Sequence, residues 1–120
     1  MKRDMELVRE LLLEVEKQEP NTIKQEVEYE DDKWTGEEVM GHLNLLNNRN
    51  LIAGTVIAEE YCIALEGLTW EGHDFLDSIR DEGVWKKVKS KLATVGGGAT
   101  LEIVKTLGVK YAKEKLGLDN

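Results

Sequence analysis

The stretch from Glu66 to Arg80 constrains the fold more than any other part of the chain. It reads as a strand end, a tight turn at Gly67 and a helix launched from Thr69. A threonine hydroxyl at that point can accept from a first-turn backbone N–H, and Glu71 sits where the helix dipole favours negative charge. Gly72 lowers helix propensity, so its use there predicts close approach to another backbone. Leu68, Phe75, Leu76 and Ile79 then supply the buried stripe. The chain is committed to a mixture of strand and helix.

The rest of the chain supplies elements on both sides of that stretch. Met5, Val8, Leu12 and Val15, flanked by Leu11, recur at helical spacing from Asp4 to about Gln18, with Glu6, Arg9, Glu10 and Lys17 expected on the wet face. Glu19-Pro20-Asn21 ends this helix, because proline disfavours helix in the residue before it. Ile23, Val27 and Tyr29 alternate with Lys24, Glu26 and Glu28, the period of a half-buried strand, and a polar loop follows at 30–33. Thr35-Gly36-Glu37-Glu38 is a capping box, with Trp34 and Val39 placed as a hydrophobic staple. Val39, Leu43 and Leu46 face the core, and Met40 and Leu45 lie at its margins. Asn47 to Asn50 ends the helix with residues that tolerate left-handed backbone.

Leu51–Ile57 and Tyr61–Leu65 make a hairpin around Ala58, Glu59 and Glu60. After the Thr69 helix, Gly83 breaks the pattern, and Trp85, Val88 and Leu92 mark another helix with Lys86, Lys87, Lys89 and Lys91 outside. Gly96-Gly97-Gly98 reads as a flexible hinge. A last helix from about Thr100 to Leu116 places Leu101, Val104, Leu107 and Tyr111 on one face, and Gly117 suits its C-terminal cap.

At 120 residues the chain suits a single core that needs no staples. Its apolar runs are too short for a membrane span. The start, Met1 to Glu6, lacks the apolar run of a secretory signal. The lone Cys62 cannot form an internal disulfide, so a cytoplasmic location is expected. Net charge is −8, unevenly spread. Residues 1–84 hold 8 Lys/Arg against 21 Asp/Glu, whereas residues 85–120 hold 8 Lys against 3 Asp/Glu. The acidic front repels a phosphate backbone unless its cations are focused on one face.

The strand running into Leu68-Thr69, with Gly72, Phe75 and Leu76 following, resembles the end of the wing in bacterial winged-helix proteins of the MarR and PadR types. His42 to Ile52 is similar to the recognition helix and its exit in ArsR-type repressors, with Asn50 where those have glycine. The short helix that normally precedes the recognition helix is replaced here by the Ile23–Tyr29 strand and the acidic loop. The whole chain also resembles a family of small uncharacterised bacterial and prophage proteins, the domain of unknown function numbered twenty-five thirteen. Met1 to Leu7, Leu68 to Arg80 and Val84-Trp85-Lys86 carry that resemblance. It implies a cytoplasmic protein, in some cases of a mobile element, and brings no activity or catalytic residues with it.

For double-stranded DNA the candidate contacts are His42, Asn44, Asn47, Asn48 and Arg49 on the Thr35 helix, with Lys87 and Lys91 as a second phosphate-facing set. Asparagine can pair bidentately with adenine, and arginine with guanine. Glu37 and Glu38 at the helix start and Glu59 and Glu60 at the hairpin tip oppose such contact. The lysines spread around their helix with no aromatic side chain expected among them on the exposed side. For metal, Cys62, His73 and Asp74 are near in sequence but show no CxxC or HxxxH spacing. For catalysis, Cys62 and Ser78 are the candidate nucleophiles, with only His42 and His73 as conventional bases; adjacent His73 and Asp74 point in different directions and make no dyad. The glycine run lacks the Lys-Ser/Thr of a phosphate loop. No cofactor, metal or enzymatic activity is expected. Leu101, Val104, Leu107 and Tyr111 form the candidate face for a homodimer or protein partner.

The expectation is an α+β winged helix over 1–93, in the order helix, strand, helix, hairpin, helix. A glycine hinge at 94–98 and a C-terminal amphipathic helix at 99–118 follow it. Two functions stay open, a regulator-like module contacting DNA and a protein-interaction module on the same scaffold.

Overall fold

The structure is a computed structural model describing residues 1–18, 22–24, 33–57, 62–95 and 100–118. Most of the Ile23–Tyr29 strand, the loop at 30–32, the hairpin tip with Glu59 and Glu60, and the glycine run at 96–98 lie outside the described residues. The elements follow in the order α1 (Met5–Lys17), β1 (Thr22–Lys24), α2 (Gly36–Asn48), β2 (Ile52–Ile57), β3 (Cys62–Leu68), α3 (Trp70–Ile79), α4 (Glu82–Val95) and α5 (Leu101–Leu116). The fold is α+β.

The three strands form one antiparallel sheet in the order β1-β3-β2. Strand β3 is central, with Ile23 opposite Ala64 on one side and Thr55 opposite Ala64 on the other. Gly67 sits inside β3 rather than in a turn after it. Ala53 pairs with Gly67 and Gly54 with Leu65, so Glu66 is an extra residue in a bulge, and Gly67 takes φ 136°. Only glycine enters that region without strain, and the bulge lets β3 continue to Leu68 before the chain turns into α3.

The helix ends follow from side chains that satisfy orphan backbone groups. Asp4 caps α1 by accepting from Glu6 N at 2.9 Å and Leu7 N at 3.4 Å. The capping box of α2 is complete: Glu38 N donates to Thr35 Oγ1 at 3.1 Å, and Thr35 N donates to Glu38 Oε1 at 3.2 Å. At the other end Asn50 takes φ 60°, Asn50 N donates to Asn47 O at 3.1 Å, and Leu51 N donates to Leu46 O at 2.9 Å. This pair of bonds is a Schellman ending with asparagine in the usual glycine position. Gly117 closes α5 in the same way at φ 73°, with Leu118 N donating to Lys113 O at 2.7 Å.

The chain divides into two compact units, Met1–His73 and Asp74–Asn120, and the division falls inside α3. In the first unit Leu7, Val8, Leu11, Leu12, Val39, Leu43, Leu46, Ile52 and Leu65 are buried. Thr69 anchors the start of α3 here, accepting from Gly72 N at 3.0 Å, while its own N–H donates to Leu51 O at 3.1 Å. A β-carbon built on Gly72 would overlap the Leu51 carbonyl oxygen, which is the backbone approach that this glycine predicts. Arg9 differs from expectation. It is only 3% exposed rather than on the wet face, and it pairs with Glu10 at 3.9 Å. Helix α1 buries more than one stripe, because Leu7 and Leu11 are covered as well as Val8, Leu12 and Val15.

In the second unit Phe75, Leu76, Ile79, Val84, Trp85, Val88 and Val104 are buried. Gly83 does not break a helix; it lies in the first turn of α4. The break is set by Asp81, whose carboxylate accepts from Val84 N at 3.0 Å. The same carboxylate receives Lys115 Nζ from the end of α5, at 2.8 Å to each oxygen. That hydrogen bond, then the one from Val84 N, holds the Asp81 carboxyl below the usual carboxylate range. Helix α4 continues through Thr94 to Val95, so Thr94 is helical rather than part of a hinge.

Candidate nucleic-acid interface

Two sets of side chains were expected to meet DNA, and the folded chain treats them differently. On α2, His42 is fully buried, and the expectation that it faces solvent is overturned. Its Nδ1 lies 2.7 Å from Glu38 O, and Asp4 N donates to its Nε2 at 2.8 Å. A carbonyl can only accept and an N–H can only donate, so the ring carries its proton on Nδ1. Asp4 is also the acceptor for Trp34 Nε1 at 2.9 Å. His42 therefore ties α2 to the start of α1, and no base edge can reach it.

Asn47 is the second correction. With its amide nitrogen facing β2, it donates to Gly54 O at 3.2 Å and Ile52 O at 3.3 Å. Its job is to fix the exit of α2 onto the hairpin. Asn44 is half-buried, whereas Asn48, Arg49 and Asn50 are exposed. Glu37 at the N-terminus of the same helix is exposed and Glu38 is committed to the capping box. The base-reading set shrinks to Asn44, Asn48 and Arg49, behind an acidic helix start.

On the second unit, Lys86, Lys87, Lys89 and Lys91 are all exposed along α4. Lys86, Lys87, Ser90, Lys91 and Thr94 line an open groove together with Tyr111 of α5. Among the described residues no carboxylate lines it. The Lys87 ammonium lies 5.9 Å from the Tyr111 ring centre and that of Lys110 lies 5.7 Å from it. An aromatic ring thus does stand among the lysines, against expectation. It comes from another helix, so spacing along α4 could not reveal it.

The groove exists because α5 is held close. Val104 is fully buried, and a β-carbon on Gly108 would overlap Ser78 O and crowd Ile79. Gly108 is therefore a close-packing residue, and Val104 faces the inside of its own unit rather than a partner. Leu101, Leu107 and Tyr111 are half-buried beside it.

The remaining candidates are dispersed. His73 Nδ1 lies 3.8 Å from Glu16, and Ser78 Oγ is buried and donates to Phe75 O at 2.6 Å. Among the described residues no three His, Cys, Asp or Glu side chains gather as a metal site would require. Among the described residues no helix is long and apolar enough to cross a membrane.

A family described as "Hypothetical protein (DUF2513)" matches residues 2–99. The chain belongs to that family. An uncharacterised protein of Haemophilus influenzae is 31% identical to this DUF2513 chain over 121 residues, covering 97% of it and 99% of the relative. No solved structure matches. The family match ends at residue 99, before α5, whereas the Haemophilus alignment spans 97% of the chain.

Proposed function

We propose that this DUF2513 chain is a non-enzymatic, regulator-like DNA-binding module of bacterial or prophage origin that works in the cytoplasm. Its scaffold is winged-helix in kind, a reading supported by the order helix, strand, helix, hairpin, helix. Its contact with the duplex is the α4–α5 face rather than the exposed side of α2. One observation carries this: Lys86, Lys87 and Lys91 line a single groove with Tyr111, and Lys110 flanks the same ring. Clustered ammonium groups displace condensed counterions from a phosphate backbone, which is the chief source of duplex affinity. The acidic residues concentrated before position 85 exclude most of the remaining surface from that role and restrict contact to this face.

The test is fluorescence anisotropy of labelled duplex, including the gene's own upstream region, at two salt concentrations. Binding that weakens steeply with salt, and is lost in a Lys87→Glu/Lys91→Glu variant, supports the proposal. Absence of binding even at low salt sinks it.

A protein-interaction module is the second reading, and one observation favours it. Trp70 is 80% exposed at the start of α3, and Leu45 on α2 is 39% exposed. Large exposed aromatics are enriched at protein interfaces. This reading requires a homodimer or partner complex that Trp70→Ala abolishes, with duplex affinity absent.

A further inference from the structure

We infer that the α4–α5 groove grips nucleic acid through phosphates alone, without reading bases. This rests on the DNA-binding reading above and names what that site recognises. The lining supplies Lys86, Lys87 and Lys91, two hydroxyl residues and Tyr111, with no Arg, Asn or Gln among them. Base edges are told apart best by planar forks that make two hydrogen bonds at once. A lysine ammonium is a compact charge on a flexible stem with three rotatable donors, suited to phosphate oxygens and indifferent to sequence. Of the hydroxyls, Thr94 Oγ1 already donates to Lys91 O at 2.7 Å. The Tyr111 ring has two ammonium groups within 6 Å of its centre, at 5.9 Å for Lys87 and 5.7 Å for Lys110, so it helps to gather positive charge at the groove.

An anionic membrane would satisfy the same charges, but the lining argues against it. Surface helices that bind lipid present an apolar wedge on the lipid-facing side. The exposed apolar residues of this unit, Ile103, Leu116 and Leu118, are not among the groove's lining residues.

The experiment compares the full chain against two labelled duplexes of equal length and scrambled sequence. Inorganic polyphosphate serves as competitor, and vesicles rich in phosphatidylserine as a separate arm. The two duplexes are expected to bind within about threefold of each other, where a base reader loses roughly tenfold for each wrong pair. Polyphosphate is expected to displace both. The logarithm of the binding constant should fall with the logarithm of salt with a slope of about −3 to −4, and each of Lys86→Gln, Lys87→Gln and Lys91→Gln should reduce that slope by about one. A tenfold preference for one duplex, or failure of polyphosphate to compete, overturns this inference while leaving DNA binding intact. Loss of all duplex binding overturns the DNA-binding reading itself, and vesicle binding without duplex binding overturns both in favour of lipid.

Discussion

The C-terminal half of α2 and the outer face of α4 present comparable runs of polar residues in sequence, and the folded chain uses them in opposite ways. His42 and Asn47 turn inward and fasten α2 to the start of α1 and to β2. Lys86, Lys87 and Lys91 turn outward and line a groove. The difference lies in what surrounds each helix. Helix α2 lies beside backbone groups that neutral side chains can meet, the N–H of Asp4 and the carbonyls of Ile52 and Gly54. Burying such groups unpaired is expensive, so the nearest suitable side chain is recruited. A lysine ammonium costs far more to bury than an imidazole or an amide, so the α4 side chains remain in water. Polar residues on a helix are thus poor evidence of a binding face until the backbone around them has been accounted for.

The comparison can be broken most decisively at His42. His42→Leu leaves Asp4 N without its acceptor, while Glu38 O keeps its backbone bond within α2, and a loss of up to about 3 kcal/mol is expected from orphaning that part-buried N–H. Lys87→Gln on α4 is expected to stay within about 0.5 kcal/mol of the parent. Urea denaturation followed by circular dichroism measures both, and equal effects would erase the proposed distinction. The two close-packing glycines come next. Gly72→Ala and Gly108→Ala each gain helix propensity yet drive a methyl group into a backbone carbonyl, of Leu51 and Ser78 respectively. A net loss of about 1–3 kcal/mol is expected for each from overpacking, readable as a lowered denaturation midpoint. Stabilisation by either alanine would show that its helix can shift away at little cost.

Smaller effects sharpen the contrast within α2. Asn47→Ala is expected to cost about 1 kcal/mol through its two carbonyl contacts, while Asn48→Ala, exposed one residue later, should change stability by less than about 0.5 kcal/mol. The smallest effect concerns the ion pair of Asp81 and Lys115. Because the folded carboxyl titrates below its ordinary value, its stabilising contribution is complete above the unfolded value of 3.8 and fades as pH falls through the folded one. Lys115→Met should therefore lower Tm slightly near neutral pH and converge with the parent in strong acid. A difference that persists or grows below pH ~3 would show that the contact acts through packing rather than charge.

Local signals in the sequence carried far. The capping box at Thr35 and Glu38, the left-handed ending at Asn50, the cap by Thr69 and the close approach at Gly72 all depend on residues within a turn of one another, or on glycine's missing β-carbon. The Asp81 cap is legible in principle, since an aspartate precedes a new apolar pattern, although Gly83 two residues on mimics a helix break. The bulge at Glu66 was less legible, because an extra residue shows only against a paired strand. On the candidate site, the α4 lysines were visible as a run, while Tyr111 as their neighbour was not, because 20 residues separate it from Lys91.

The sequence by itself determined most of the helix ends, that the fold mixes α and β, that positive charge gathers after position 84, and which family the chain belongs to. Those are matters of short-range hydrogen bonding, periodicity and composition. Only the tertiary structure decided which polar side chains are spent on the chain's own backbone and which remain for a partner. That choice depends on backbone donors and acceptors brought together from separate elements, Asp4 to His42 and Ile52 to Asn47, and no local pattern records them.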